Sequence, residues 1–161
     1  MKERLGKFGL SVAEEKTRTL QFNRYEPEPN DAFEFLGFEF RWVKRRAGMP
    51  GVRRRTSPKR LRASVRAFTG WIKKSRCVRL PILMARLKSK FSGYWNYYGV
   101  RGNMQMLNRF YWECCLLLFK WLNRRSQKRS CTFEEFAALL KRFHIPSPRI
   151  VEPVCQPSFL R

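Results

Sequence analysis

From Phe40 to Trp112 the chain contains no aspartate or glutamate, although this stretch is dense in lysine and arginine. All 12 acids lie at or before Glu39 or from Glu113 onward, in clusters such as Glu14-Glu15, Glu26 to Glu34 and Glu134-Glu135. Soluble surfaces normally interleave both signs, so a face this one-sided needs an external anion. Histidine is nearly missing too. His144 is the only one, it stands two residues before Pro146, and no serine or cysteine is placed by sequence to pair with it. No nucleophile-and-base arrangement is therefore legible. The single aspartate, Asp31, sits in a proline-rich loop, so paired carboxylates for two-metal phosphoryl transfer are missing from the basic middle. No glycine-rich phosphate loop precedes a helix, and no cluster of histidine and cysteine has metal-ligand spacing. The five cysteines (77, 114, 115, 131 and 155) are odd in number and include no Cys-x-x-Cys pair. That disfavours a disulfide framework or a zinc site and predicts buried thiols in a reducing cytoplasm or organelle. The longest apolar run, Cys114 to Phe119, is too short to cross a bilayer, and the N-terminus is charged, unlike the apolar core of a signal peptide.

What is present is a core and a large positive charge. At 161 residues, 43% hydrophobic and 15% aromatic, the chain has ample material for one modest domain or two small subdomains. A formal charge of +23 exceeds what solubility requires. It points first to nucleic acid as a screening partner and second to an anionic membrane surface.

Taken in order, Met1 to Gly9 predicts the last turns of a helix closed by a left-handed Gly9. A short strand-like piece, Arg18 to Phe22, and a proline-rich loop, Tyr25 to Asp31, follow. From Phe38 to Trp42 the alternation is strict, with Phe38, Phe40 and Trp42 on one face and Glu39 and Arg41 on the other. Phe33 and Phe35 have the opposite parity, so a bulge or a close backbone approach is expected at Leu36-Gly37. Lys44 to Arg55 is a turn punctuated by glycine and proline between two basic triplets: a solvated hairpin or linker, or a phosphate-gripping arm.

Ser57-Pro58 predicts a helix start, serine as cap and proline in the first turn. Leu61, Val65, Phe68 and Ile72 then recur at spacings of 4, 3 and 4, with Lys59, Arg62, Arg66 and Lys73 as a stripe to one side. Pro81 starts a second helix whose core face is Leu83, Leu87, Phe91, Tyr94 and Tyr98, with Arg86, Lys90, Gly93 and Tyr97 alongside. One charged stripe is ordinarily a solvated face. Two consecutive helices without a compensating acid favour a nucleic-acid face over a merely solvated one. A third helix, Met104 to Leu122 after Asn103 as cap, is apolar almost all round and predicted to be the most buried. Thr132 and Glu135 form a capping box, with Cys131 and Phe136 as its staple, for a fourth helix ending near Phe143. The tail from His144, with four prolines, is expected to be extended or disordered.

Together, Gly9-Leu10 with Glu15-Lys16-Thr17, the Phe35-Leu36-Gly37-Phe38 turn, and Gly93-Tyr94-Trp95-Asn96-Tyr97-Tyr98 resemble the C-terminal half of group II intron-encoded reverse transcriptase/maturases. The likeness covers roughly 1–143. It implies a mainly α fold: a thumb-like bundle of three to four helices (58–143, the maturase-specific domain X) after a β-strand or hairpin remnant of a polymerase palm (1–46). Residues 47–57 would be a basic linker and 144–161 a proline-rich tail. The resemblance places Leu36, Gly37 and Phe38 near a primer. It places Arg53, Arg54, Arg55, Lys59, Arg62, Arg66 and Lys73 on phosphates, with Arg86, Lys90 and Tyr97 extending that surface. The family's Tyr-x-Asp-Asp box, which precedes the lysine-threonine motif, is absent here, so no catalytic residue and no metal ligand is expected. Mg2+ would belong only to a complete polymerase.

These features imply a non-catalytic RNA-binding module that assists group II intron splicing by holding intron RNA or a template-primer duplex. An alternative is one part of a split or truncated RNA-directed DNA polymerase whose aspartates lie in an upstream segment. A third is a degenerate remnant without function. On any of them the chain is expected to be a truncated or separately expressed piece of a maturase, and no membrane partner is expected.

Overall fold

The computed structural model describes residues 4, 7–9, 32–44, 48, 50–124 and 131–153. These are mainly helical: three strands are followed by four helices. Strands β1 (Ala32–Phe35), β2 (Phe38–Lys44) and β3 (Pro50–Thr56) form an antiparallel sheet in the order β1-β2-β3. Helices α1 (Pro58–Ser75), α2 (Leu80–Tyr98), α3 (Met104–Asn123) and α4 (Phe133–Arg142) follow. The strand-like piece 18–22, the loop 25–31 and most of the basic loop 124–129 lie outside the described residues. Gly9 has the expected left-handed backbone, φ 67°.

The parity slip at Leu36-Gly37 is a hairpin turn and not a bulge. Both residues have positive φ, 49° and 82°, as a tight two-residue turn between antiparallel strands demands. Phe35 pairs with Phe38 across it, so Phe33, Phe35, Phe38 and Phe40 end on one face, with Phe33 and Phe40 rings stacked at 5.0 Å. The segment 47–57, expected as a linker, is mostly β3. Its seven residues pair with β2 from Lys44↔Pro50 to Phe38↔Thr56, so the hairpin alternative for 44–55 holds.

Local signals set the helix ends. Ser57 Oγ accepts the Arg60 N–H at 3.3 Å, and Pro58 stands in the first turn. At α4 the capping box is complete: Thr132 N–H donates to Glu135 Oε2 at 2.7 Å, and Glu135 N–H to Thr132 Oγ1 at 3.2 Å. Phe136 is buried and Cys131 packs on the same core, as a staple requires. Asn103 stands at the cap position of α3 but makes no capping bond. It is fully buried instead, accepting the Thr56 N–H and donating to Thr56 Oγ1 and the Tyr98 carbonyl, each at 2.8 Å. One side chain thus ties the sheet to the α2–α3 connection.

The core lies between the helices. Leu61, Phe68 and Ile72 of α1 meet Leu83, Leu87 and Phe91 of α2 and Leu107, Phe110, Cys114 and Leu118 of α3. The α2 stripe is wider than the sequence indicated, because Met84 and Trp95 are buried as well. Trp95 is satisfied from far along the chain: its Nε1 donates to the Pro146 carbonyl at 3.1 Å. By contrast α3 is not buried all round, since Trp112 and Leu116 are 57% and 54% exposed. As far as Pro153, the last residue described, the tail is extended and docked. Val151 and Glu152 N–H groups both donate to the Gly99 carbonyl, at 2.7 and 3.1 Å, and Ile145 and Ile150 pack on the core. Cys114 and Cys115 are buried free thiols, as expected, while Cys131 is half-buried and Cys77 is exposed.

Candidate nucleic-acid interface

The basic triplet of β3 does not act as one arm. Successive strand side chains alternate between faces, and the register puts Arg54 opposite Phe40, while Arg53 and Arg55 pair with Arg41 and Glu39 on the other face. Arg54 forms an ion pair with Glu152 of the tail, and its guanidinium lies 5.7 Å over the Phe38 ring. Arg55 donates twice to Glu39 Oε1, at 2.7 and 3.2 Å, and Glu39 is nearly buried. Arg54 and Arg55 thus have partners within the chain, on the tail and on the sheet. Arg53 alone keeps the exposure expected of a phosphate contact.

On α1, Lys59, Arg62, Arg66 and Lys73 are all exposed, as are Arg86, Lys90 and Tyr97 on α2. The two rows do not merge into one stripe. Lys90 reaches across to α1, its ammonium 5.0 Å from the Trp71 ring centroid, whereas Lys73 lies 5.7 Å from the Trp121 ring of α3. Trp71 and Lys73 are two residues apart, so they point to nearly opposite sides of their helix. The α2 row borders one flank of α1 and the α1 row the other, giving a broad positive face with α1 along its middle. Such contacts between cations and rings hold lysine heads in place at modest energy, about 0.5–1 kcal/mol at exposed sites.

At one end of this face the structure brings several predicted residues together. The turn Leu36-Gly37 packs against the start of α1 and the end of α2: Tyr97 Oη donates to the Leu36 carbonyl at 2.9 Å, and the Phe38 ring stacks with Tyr97 at 5.8 Å. A Cβ on Gly37 would lie 3.2 Å from both Arg60 Cγ and Tyr98 Oη. Glycine suits the positive φ there, and any side chain would also need Arg60 or Tyr98 to give by a few tenths of an ångström. The resulting crevice, about 420 Å³, is lined by Glu34, Phe35, Leu36, Lys59, Arg60 and Ala63. Burial raises the Tyr98 hydroxyl above its ordinary value, the neighbouring Tyr97 adds to this and Arg60 opposes it. Arg60 went unnoticed in sequence because it falls off the Lys59-Arg62-Arg66 row; only the turn's position reveals it.

Among the described residues no group of three or more histidine, cysteine, aspartate or glutamate side chains is placed to hold a metal ion, and no helix is long and apolar enough to cross a membrane. The arrangement offers cations, exposed rings and a turn backbone, which bind and position. Comparison with protein-family models, curated proteins and solved structures gives no match.

Proposed function

We propose that the chain is an RNA-binding module of the group II intron maturase kind, its helical part serving as thumb and domain X and its hairpin as the end of a palm. It holds intron RNA or a template-primer duplex and does no chemistry by itself. The observation that carries this reading is the acid-free positive face of α1 and α2, closed at one end by the Leu36-Gly37 turn, Lys59 and Tyr97. Arg53, Lys59, Arg62, Arg66, Lys73, Arg86 and Lys90 contact phosphates, which gives affinity with little sequence information. Tyr97 adds a ring on which an unpaired base stacks, and selectivity for structured RNA follows from shape.

The test is a titration of a group II intron RNA, and of an unrelated RNA of equal length, over a salt series. Neutralising about six phosphates makes the logarithm of affinity fall against log salt with a slope of roughly −4 to −5. Tighter binding of the intron at every salt concentration supports the maturase assignment. A flat salt response overturns it.

A second reading is favoured by the exposure of Phe35 and Leu36, at 59% and 66%, beside the crevice. Exposed apolar groups at a turn suit packing against an upstream reverse-transcriptase segment that supplies the catalytic aspartates and, through them, Mg2+. Primer extension that appears only when the chain is mixed with such a segment supports it; none after mixing counts against it.

A further inference from the structure

The flank of α1 that faces α2 belongs to neither basic row. It runs Arg60, Ser64, Ala67, Trp71 and Lys74, at spacings of 4, 3, 4 and 3, a single helix face. Two cations end it, and two short side chains occupy its middle. Because Ser64 and Ala67 are short, the packing of α1 on α2 leaves an open recess of about 230 Å³ at that point. Phe68, Phe91 and Phe110 wall it, and Lys90 stands at its side with the ammonium over Trp71. Tyr94 also lines it, its ring stacked on Phe110 at 3.7 Å and its buried hydroxyl beside Ser64 and Thr56. Gly93, one turn beyond Lys90, would have nothing within 4 Å of an added Cβ.

We propose that this recess receives one unstacked nucleobase of the bound RNA, with Lys90 on the adjoining phosphate. The inference rests on the RNA-binding reading and names what the face between the two rows does. An aromatic-walled recess takes a flat, largely apolar body, while the surrounding field, without an acid from Phe40 to Trp112, selects an anion. A nucleotide combines the two within the reach of one lysine. A free phosphate would leave the aromatic walls unused, and a fatty chain needs a longer channel. The walling rings are buried and present only their edges, which carry no hydrogen-bond pattern, so the recess registers an unpaired nucleotide and not a sequence.

Ala67→Leu fills the recess without altering charge, and Ala85→Leu, on an exposed position of α2, is its control. Each full-length variant is titrated with a single-stranded RNA carrying 2-aminopurine and with a fully paired RNA of equal phosphate number. Ala67→Leu is expected to weaken single-strand binding about tenfold and to remove the 2-aminopurine signal. Its duplex affinity and salt slope stay those of the wild type. Lys90→Gln weakens both RNAs and lowers the slope by about one. Unchanged single-strand binding by Ala67→Leu, beside a wild type that binds both RNAs with the expected slope, overturns the recess and leaves RNA binding standing. A wild type that binds neither overturns both. If Ala67→Leu loses helix content, photo-crosslinking of 5-iodouridine RNA to the wild type decides: adducts on the peptide carrying Phe68 and Trp71 support the site, and adducts found only elsewhere overturn it.

Discussion

Asn103 connects more of the molecule than its place in the sequence implies. Asparagine before an amphipathic run is ordinarily a cap, and that local rule predicted one here. Thr56 won because its N–H and hydroxyl, at the end of β3, are buried and need partners, and a chain separation of 47 residues hides that need from any local pattern. Asn103→Ala would leave the Thr56 N–H and the Tyr98 carbonyl short of a partner, at a cost of about 3 kcal/mol. Chemical denaturation measures it, with exposed Asn108→Ala as a near-neutral comparison. Gly99 is similar in kind. A Cβ there would lie 2.2 Å from the Trp95 carbonyl oxygen and 2.8 Å from that of Arg149, both backbone. Gly99→Ala therefore displaces the tail or the end of α2, and limited proteolysis near 146–152 should accelerate while Gly70→Ala, with open space around it, stays protected. The thiols divide by burial: burial, with Cys115 and Glu113 beside it, pushes the Cys114 thiol well above its ordinary value, and burial pushes Cys115 to about 11. An aromatic disulfide reagent should modify exposed Cys77 quickly and these two only after unfolding.

Elements whose signals are local were legible. The ends of α1 and α4 follow from Ser57-Pro58 and from Thr132 with Glu135, because a cap needs only three or four neighbouring residues. Strand β3 was not. Pro50, Gly51 and three consecutive arginines carry no apolar alternation, and what holds them is pairing with β2 and the Glu39 carboxylate. For the same reason the site was half legible: the α1 and α2 rows came from helical period, whereas the loss of Arg54 and Arg55 to internal partners depends on faces that only the register assigns. The tail is held by contacts of similarly long range. Glu152 accepts the Arg101 N–H at 2.8 Å and pairs with Arg54. Those bonds, the backbone one first, hold its carboxyl below the ordinary value of 4.5. A depressed carboxyl contributes stability that is present above its unfolded value and lost as pH falls through the folded one. Tail protection from proteolysis should thus be full at pH 6 and decline below about 4.5, and Glu152→Gln should already lack that part at pH 6. An equal pH response in both proteins would show that Glu152 does not hold the tail.

For the whole molecule the governing quantity is charge. A net +23 on 161 residues, with its densest part on one face, makes the free protein repel itself, and folding concentrates that repulsion. Ion pairs relieve little of it: on β2 and β3, Glu39 serves both Arg41 and Arg55, and the exposed Arg109–Glu113 pair joins neighbours on a single helix. Simple salt is a weaker substitute for a polyanion, but it acts in the same direction. Raising ionic strength from about 0.01 to about 0.15 M shortens the screening length from about 30 Å to about 8 Å, which removes most repulsion between the rows of α1 and α2. If this relief is about 1 kcal/mol, Tm rises by about 2–4 °C for a chain of this size. If the chain binds RNA as proposed, substoichiometric RNA at low salt should raise it further, because the phosphates would neutralise the same side chains at fixed positions. The two effects must then compete: added salt that stabilises the free protein should lower the Tm of the RNA-bound one as counterions displace the contacts. Melting curves over a salt series, with and without RNA, that converge at high salt would show one set of charges serving both roles. Parallel curves would place the RNA on a different surface from the one that destabilises the free chain.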